Sequence, residues 1–189
     1  MIIVDGLDAV GKDTHARLIF DRYRDMGEKV VIRSHPTTDN FFGRKAKRAL
    51  TTEGRINKLL ASIYYMLDVL RSVKIYYRRG GSGTLIMVRY LVGTAYLPKR
   101  LAKWGYDFFE NFVPISDYMF FLDASPEELV KRVEMREERE IFETYEELVK
   151  VRDKALLLVK DWYIIDTSLS IEDTFSKIEI ILDRLDGKI

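Results

Sequence analysis

The chain has no cysteine, no glutamine, only two histidines and only four prolines among its 189 residues. Without cysteine there is no disulfide framework, no thiolate metal site and no thiol nucleophile. His15 and His35 show no metal-ligand spacing with a carboxylate motif. Thirty-one Lys and Arg balance thirty Asp and Glu to a net charge of +1, so no global basic field argues for nucleic acid. An anionic ligand must instead be met by locally clustered arginines. No apolar run is long enough to span a bilayer, and the apolar run that starts at residue 2 leaves no room for a signal peptide; the expectation is a soluble, cytoplasmic protein. A charged fraction of 32% beside missing Cys and Gln has the flavour of adaptation to heat.

What is present begins at the first residues. The apolar run Ile2-Ile3-Val4 leads into Gly6-Leu7-Asp8-Ala9-Val10-Gly11-Lys12-Asp13-Thr14. Glycine, four residues, glycine and lysine is the spacing of a P-loop, in which backbone N–H groups turn inward around a phosphate and the following helix offers its positive dipole end. An amphipathic helical pattern follows, with Ala16, Leu18, Ile19 and Tyr23 on its apolar side and Gly27 as its C-terminal stop. The motif alone leaves open a tight strand-to-helix turn that happens to contain a lysine. Where a Ser or Thr hydroxyl would ligate magnesium, the chain has the carboxylate of Asp13.

Strand and helix patterns alternate along the whole length. Strands are predicted at 1–5, 29–33, 84–88, 117–123 and 162–166, and helices at about 12–26, 41–52, 55–79, 98–110, 126–138, 143–160 and 171–185. Ser125 before Pro126, and Ser170 before Ile171-Glu172-Asp173, read as N-caps. Three strands are almost continuously apolar, as in a parallel sheet covered on both faces. The pattern predicts a single domain over 1–189, a three-layer α/β fold with a five-stranded parallel sheet whose ligands gather at the strands' carboxyl ends.

Two arginine clusters could serve an anion there. Arg33-Ser34-His35-Pro36 follows the second strand. Arg132, Arg136 and Arg139 are spaced i, i+4, i+7 and share one helical face. That face reads either as a solvated, salt-bridged surface or as a lid, about 132–143, whose arginines close over transferring phosphates.

Taken in order, these segments resemble the thymidylate kinases, a family of P-loop nucleoside monophosphate kinases. Gly6 to Lys12 is similar to that family's P-loop, Arg33 with Pro36 to its Arg-Glu-Pro segment, Val88-Arg89-Tyr90 to its Asp-Arg-Tyr signature, and Leu122-Asp123-Ala124-Ser125-Pro126 with the arginine-rich stretch to its fourth strand and lid. Arg152 is similar to the family's helix arginine after the lid. The resemblance implies Mg²⁺-dependent transfer of the γ-phosphate of ATP to dTMP. In that scheme Gly6, Ala9, Val10, Gly11, Lys12, Asp13, Thr14, Arg132 and Arg136 bind ATP. Asp8, Arg33, Pro36, Arg71, Arg89, Tyr90 and Tyr96 bind dTMP. Arg89 bridges the two phosphates, Tyr90 crowds the ribose 2′ position, and Arg71 meets the thymine, with Leu67, Tyr64 or Tyr65 as candidates to stack on it. Lys12, Asp13, Arg89, Arg136 and Arg139 form the catalytic set, and a homodimer is implied.

Two departures from the family pattern concern magnesium. Asp13 replaces Ser or Thr, and Val88 replaces the signature's Asp. The expectation drawn here is that the metal-binding carboxylate has moved to Asp13, a hard oxygen ligand of the kind Mg²⁺ prefers. A kinase for another nucleotide or nucleoside, and a nucleotide-binding regulatory protein with a decayed metal site, are the alternatives.

Overall fold

The computed structural model describes residues 1–51, 55–79, 81, 83–97, 99–135 and 144–188. Five strands, β1 (Ile2–Gly6), β2 (Val30–Ser34), β3 (Thr84–Val88), β4 (Met119–Asp123) and β5 (Tyr163–Asp166), form one parallel sheet in the order β2-β3-β1-β4-β5. Ile3, Val4, Ile86, Met87, Phe120 and Phe121 are fully buried, so the three inner strands are covered on both faces. Edge strand β5 alternates instead, with Ile164 half-exposed and Ile165 buried.

The helices are α1 (Lys12–Asp25), α2 (Phe41–Leu50), α3 (Arg55–Ser72), α4 (Lys99–Phe112), α5 (Pro126–Glu134), α6 (Tyr145–Leu158) and α7 (Ile171–Leu185). Ser125 and Ser170 cap α5 and α7, each hydroxyl accepting the backbone N–H three residues on, from Glu128 (3.3 Å) and Asp173 (3.0 Å). Asn40 and Thr144 do the same for α2 and α6, and these two caps the sequence reading did not name. Gly27, at φ 86°, follows α1 as anticipated. Arg22 of α1 reaches Glu179 (3.2 Å) and Asp183 (2.5 Å) of α7 and locks the two helices side by side. Among the described residues no helix is long and apolar enough to cross a membrane.

Two elements differ from the sequence pattern. The helix expected over 55–79 keeps α-helical bonding only to Ser72, then runs as a π-helical turn over Val73–Tyr77, with Arg78 N–H donating to Val73 C=O five residues back (3.1 Å). Hydrophobic periodicity does not separate this from one more α-turn, because the π-turn ends the helix and leaves too few residues beyond it to show a displaced apolar stripe. The helix expected over 126–138 is described to Glu134, and positions 136–143, with most of the anticipated lid, lie outside the described residues.

Register sets the working end of the sheet. Ser34 pairs with Val88, Val4 with Val88, and Gly6 with Leu122. The carboxyl ends of β2, β3, β1 and β4 therefore finish side by side, and the turns leaving them share one rim.

Candidate active site

At the P-loop, β1 ends at Gly6, where φ is 150° and a Cβ would stand 2.3 Å from the Leu122 carbonyl oxygen; no side chain fits. Ala9 (φ 64°) and Gly11 (φ 90°) turn the loop back onto α1, which begins at Lys12 with no side chain capping it. The first-turn N–H groups of α1 thus remain available to an anion. Lys12 is buried, donates to the Leu7 carbonyl and stands 3.7 Å from the Asp8 carboxylate. Burial pushes its amine down to about 8, with Arg89 adding to the effect and Asp8, Asp5 and Asp13 opposing it. His15 is buried behind the loop on the Gly11 carbonyl (2.9 Å).

Across the loop, β3 gives way to Arg89, held at φ 55°, a left-handed conformation that costs a non-glycine residue about 1 kcal/mol or more. Three contacts impose it. The Arg89 N–H donates to Val4 C=O (3.2 Å), and its carbonyl accepts the Tyr65 hydroxyl. The next three N–H groups, of Tyr90, Leu91 and Val92, all donate to one oxygen of Asp5 (2.8, 3.0 and 3.0 Å). Asp5 is wholly buried. Burial raises its pKa, while those amides and Lys12 work to keep it charged.

The Arg89 guanidinium forks onto Asp13, Nη2 to Oδ2 at 2.8 Å and Nη1 to Oδ1 at 3.2 Å, and also donates to Ser34 Oγ (2.8 Å). Ser34 in turn donates to Asp13 Oδ1 (2.7 Å). A closed Ser34–Asp13–Arg89 network thus ties the ends of β2 and β3 to the first turn of α1. Partial burial opposes the Asp13 charge, but the guanidinium and the hydroxyl outweigh it and hold the carboxyl below its usual range.

At the end of β2, Arg33 pairs with Asp39 through both terminal nitrogens (3.0 and 3.1 Å) and lies over the ring of Tyr76, 4.5 Å from its centroid. Tyr76 sits in the π-turn, so that local insertion bears directly on the site. Arg71 Nη1 stands 3.8 Å from the same Asp39 carboxylate. The loop that carries Asp39 is pinned from below: fully buried Asp68 of α3 accepts the N–H and hydroxyl of Thr37 (2.6 and 2.7 Å) and Asn40 Nδ2 (2.6 Å). Gly43 makes room for that loop, since a Cβ there would meet the Thr37 carbonyl oxygen at 1.9 Å. Buried His35 donates from Nδ1 to Val88 C=O (3.2 Å) and accepts the Ser72 hydroxyl at Nε2 (2.9 Å). Burial pushes it down to about 4, so it is neutral at pH 7.

The remaining predicted positions divide. Tyr96 reaches the site, its hydroxyl donating to Asp8 (2.7 Å). Tyr90 does not. It is fully buried with its hydroxyl on the Pro114 carbonyl (2.9 Å), so the expectation that it crowds a ribose is corrected; turning the chain at left-handed Arg89 sends the next side chain into the core. Of the stacking candidates, Tyr64 pairs edge-on with Phe41 between α2 and α3, while Tyr65 packs its ring against Gly93 and bonds Arg89. Arg132 is tied to Glu128 (3.0 Å) and to Thr167 after β5 (2.7 and 3.2 Å), and Arg152 forks onto Asp123 (2.8 and 2.7 Å). Arg136 and Arg139 lie outside the described residues. Asp5, Ser34, Asp39 and Asp68 are contributors that sequence reasoning did not assign, and Tyr65, expected only as a base-stacking candidate, also holds the Arg89 carbonyl. Two left a signal, Asp5 as a lone acid in an apolar strand and Asp68 on the apolar face of a helix.

As a magnesium ligand, Asp13 is half-exposed and uses three of its four lone-pair positions on Arg89 and Ser34, leaving one oxygen position for a cation. Among the described residues no three His, Cys, Asp or Glu side chains gather into a metal cage. This donor set fits an ion held by one carboxylate and otherwise by water and substrate phosphates, as Mg²⁺ usually is.

Phosphate-directed amides and a lysine on the first strand–helix turn, facing arginines on two adjacent strand ends, define the class: a P-loop phosphotransferase. The sequence model of the family described as thymidylate kinase matches residues 4–178, and the chain belongs to the thymidylate kinase family. It is 24% identical to the thymidylate kinase of Schizosaccharomyces pombe over 94% of this chain and 89% of that one. It is 27% identical to a probable thymidylate kinase of Thermococcus onnurineus over 97% of each. Among solved structures, the thymidylate kinase of Candida albicans superposes with a TM-score of 0.76 at 18% identity, covering 98% of this chain and 91% of that one, a likeness of fold.

Proposed function

We propose that this protein transfers the γ-phosphate of ATP to dTMP, giving ADP and dTDP. The observation that carries the reading is the place of Arg89: its guanidinium stands where the P-loop helix meets the end of β2, bonded to a residue of each. Phosphoryl transfer asks mainly for positioning and charge neutralisation, and a group at that junction can touch both donor and acceptor phosphates. Lys12 and the amides of Gly11 to Thr14 hold the donor phosphates, and Lys12 turns from the Leu7 carbonyl to do so. Arg33 receives the acceptor phosphate; Arg71, which the family resemblance assigns to the thymine, stands 3.8 Å from the Asp39 carboxylate that Arg33 holds, and we read it as reaching the phosphate as well. Asp8 and Tyr96 meet the sugar, and Tyr65 lines the base side next to Gly93. Arg132 flanks the nucleotide, and Arg136 and Arg139 close from the lid and exclude water.

Asp13 would hold the metal through the oxygen position that Arg89 and Ser34 leave open, and Arg89 reaches for the phosphates. Mg²⁺, when bound, neutralises charge on the transferring group. The Val88 side chain contributes only packing. We further read the exposed apolar face of α3, with Leu59, Leu60 and Ile63, as the surface through which two copies pair, and we place the enzyme in the cytoplasm.

The test is ADP release with ATP, Mg²⁺ and a panel of dTMP, dUMP, dCMP, CMP, UMP and AMP at elevated temperature. Turnover confined to dTMP, with dUMP trailing, is expected. Turnover led by another acceptor would move the substrate, and ATP binding without any turnover would make the protein a nucleotide-binding regulator.

A further inference from the structure

Asp39 has no part in the transfer just described, yet it sits in its acceptor site. Both Arg33 terminal nitrogens hold its carboxylate at 3.0 and 3.1 Å, and Arg71 Nη1 approaches to 3.8 Å. Arg33 Nε and Arg71 Nη1 are buried without a hydrogen bond, so the two guanidiniums retain donors that one carboxylate leaves unused. A phosphate monoester has three oxygens and a second negative charge, and fills such a pair of forks better than a carboxylate.

The carboxylate is also built to leave. Thr37, two residues before it, and Asn40, next to it, are anchored to buried Asp68, and Asn40 caps α2; besides the arginines, departure of the carboxylate gives up the hydrogen bond from Asn40 Nδ2 to Asp39 Oδ1 (3.1 Å). The Asp39 side chain itself is 44% exposed. Turning it to solvent is a rotamer change on a fixed backbone and needs no refolding of the loop.

We propose that Asp39 is an internal anion seated where the acceptor's phosphate binds, displaced by the substrate, and that it screens Arg33 and Arg71 from free anions. This rests on reading Arg33 and Arg71 as the acceptor-phosphate site. Two arginines side by side would otherwise collect inorganic phosphate, which is abundant wherever ATP is consumed. With Asp39 in place, a free anion must displace the carboxylate on its own, whereas dTMP does so with the help of its sugar and base. Asp39 is in this sense a specificity residue, favouring a phosphate that arrives on a nucleoside.

The experiment is calorimetric titration of wild type and Asp39→Asn with inorganic phosphate, dTMP and thymidine, repeated with Asp39→Ser. Because a partly exposed ion pair is worth little, removing the charge is expected to tighten phosphate binding about three- to tenfold. It should tighten dTMP by a similar or smaller factor, leave thymidine unchanged and lower the KM for dTMP with kcat within about twofold. Phosphate affinity that is unchanged or weaker in both variants overturns the proposal and makes Asp39 a residue that orients Arg33. Thymidine binding that moves in step with phosphate overturns it as well, since the effect would then be a general loosening of the loop. If dTMP fails to bind either protein while phosphate still tightens, the acceptor reading falls and the screening role of Asp39 stands.

Discussion

The two halves of the site are built by different means. The P-loop side, which we read as the donor site, is local: Gly6, Ala9, Gly11 and Lys12 fall within one strand–loop–helix, and positive φ angles with an uncapped helix start shape the cradle from backbone alone. The arginine side, which we read as the acceptor site, is assembled at long range. Arg33 and Arg71 face a loop held by Asp68 of α3, and Arg89 depends on Tyr65 of α3 and Asp5 of β1. A site made of backbone is robust to change around it. A site made of buried polar links loses its geometry with any one of them.

That contrast can be broken first at the donor side. Lys12→Met should lower kcat at least about a hundredfold with little loss of stability, because it removes one charge aimed at the phosphates and leaves the backbone cradle intact. Steady-state kinetics beside a thermal melt checks both halves of the statement.

On the acceptor side, Asp5→Ala should do the opposite, striking stability hard and activity through it. It strands the N–H groups of Tyr90, Leu91 and Val92 inside the protein, at about 1–3 kcal/mol for such a buried loss or somewhat more for three together. Urea unfolding gives that number, and kcat should fall because Arg89 loses its imposed conformation. Asp68→Asn is milder, keeping the volume and one acceptor. About 1–2 kcal/mol and a several-fold rise in the KM for dTMP, with the KM for ATP unchanged, are expected. An equal rise in both KM values would mean that the loop serves the donor too.

The smallest effects are protonic. Lys12 in the folded protein lies at about 8 against 10.5 unfolded, so the unfolded chain binds more protons between those values and the Lys12 contribution to stability improves as pH rises through that window. Phosphates restore its preference for the charged form. ATP binding near pH 8.3 should therefore take up a fraction of a proton, read by calorimetry in two buffers of different ionisation enthalpy, and Lys12→Met should abolish it. His35, at about 4 against 6.5, costs stability as pH falls through that range, again because the unfolded chain binds the extra proton.

The same division explains what the sequence disclosed. Strand and helix alternation, the Ser125 and Ser170 caps and the P-loop are all written in short-range residue patterns, and among the described residues the structure carries them within a residue or two, apart from the end of the helix expected over 55–79. The roles of Ser34, Asp39 and Tyr65 are not local properties. They follow from the pairing of Ser34 with Val88 and from a loop pinned to a helix some thirty residues on. Tyr90 went astray for a related reason: its direction depends on the left-handed turn at Arg89, which buried Asp5 enforces and no local pattern announces.

The central claim is a transfer between two sites on one chain, and ³¹P NMR of the protein with ATP, Mg²⁺ and dTMP tests it most directly. The account predicts dTDP and ADP appearing in equal amounts with no accumulation of inorganic phosphate. Inorganic phosphate in place of dTDP would mean that the acceptor side does not function as an acceptor site, and would contradict the account.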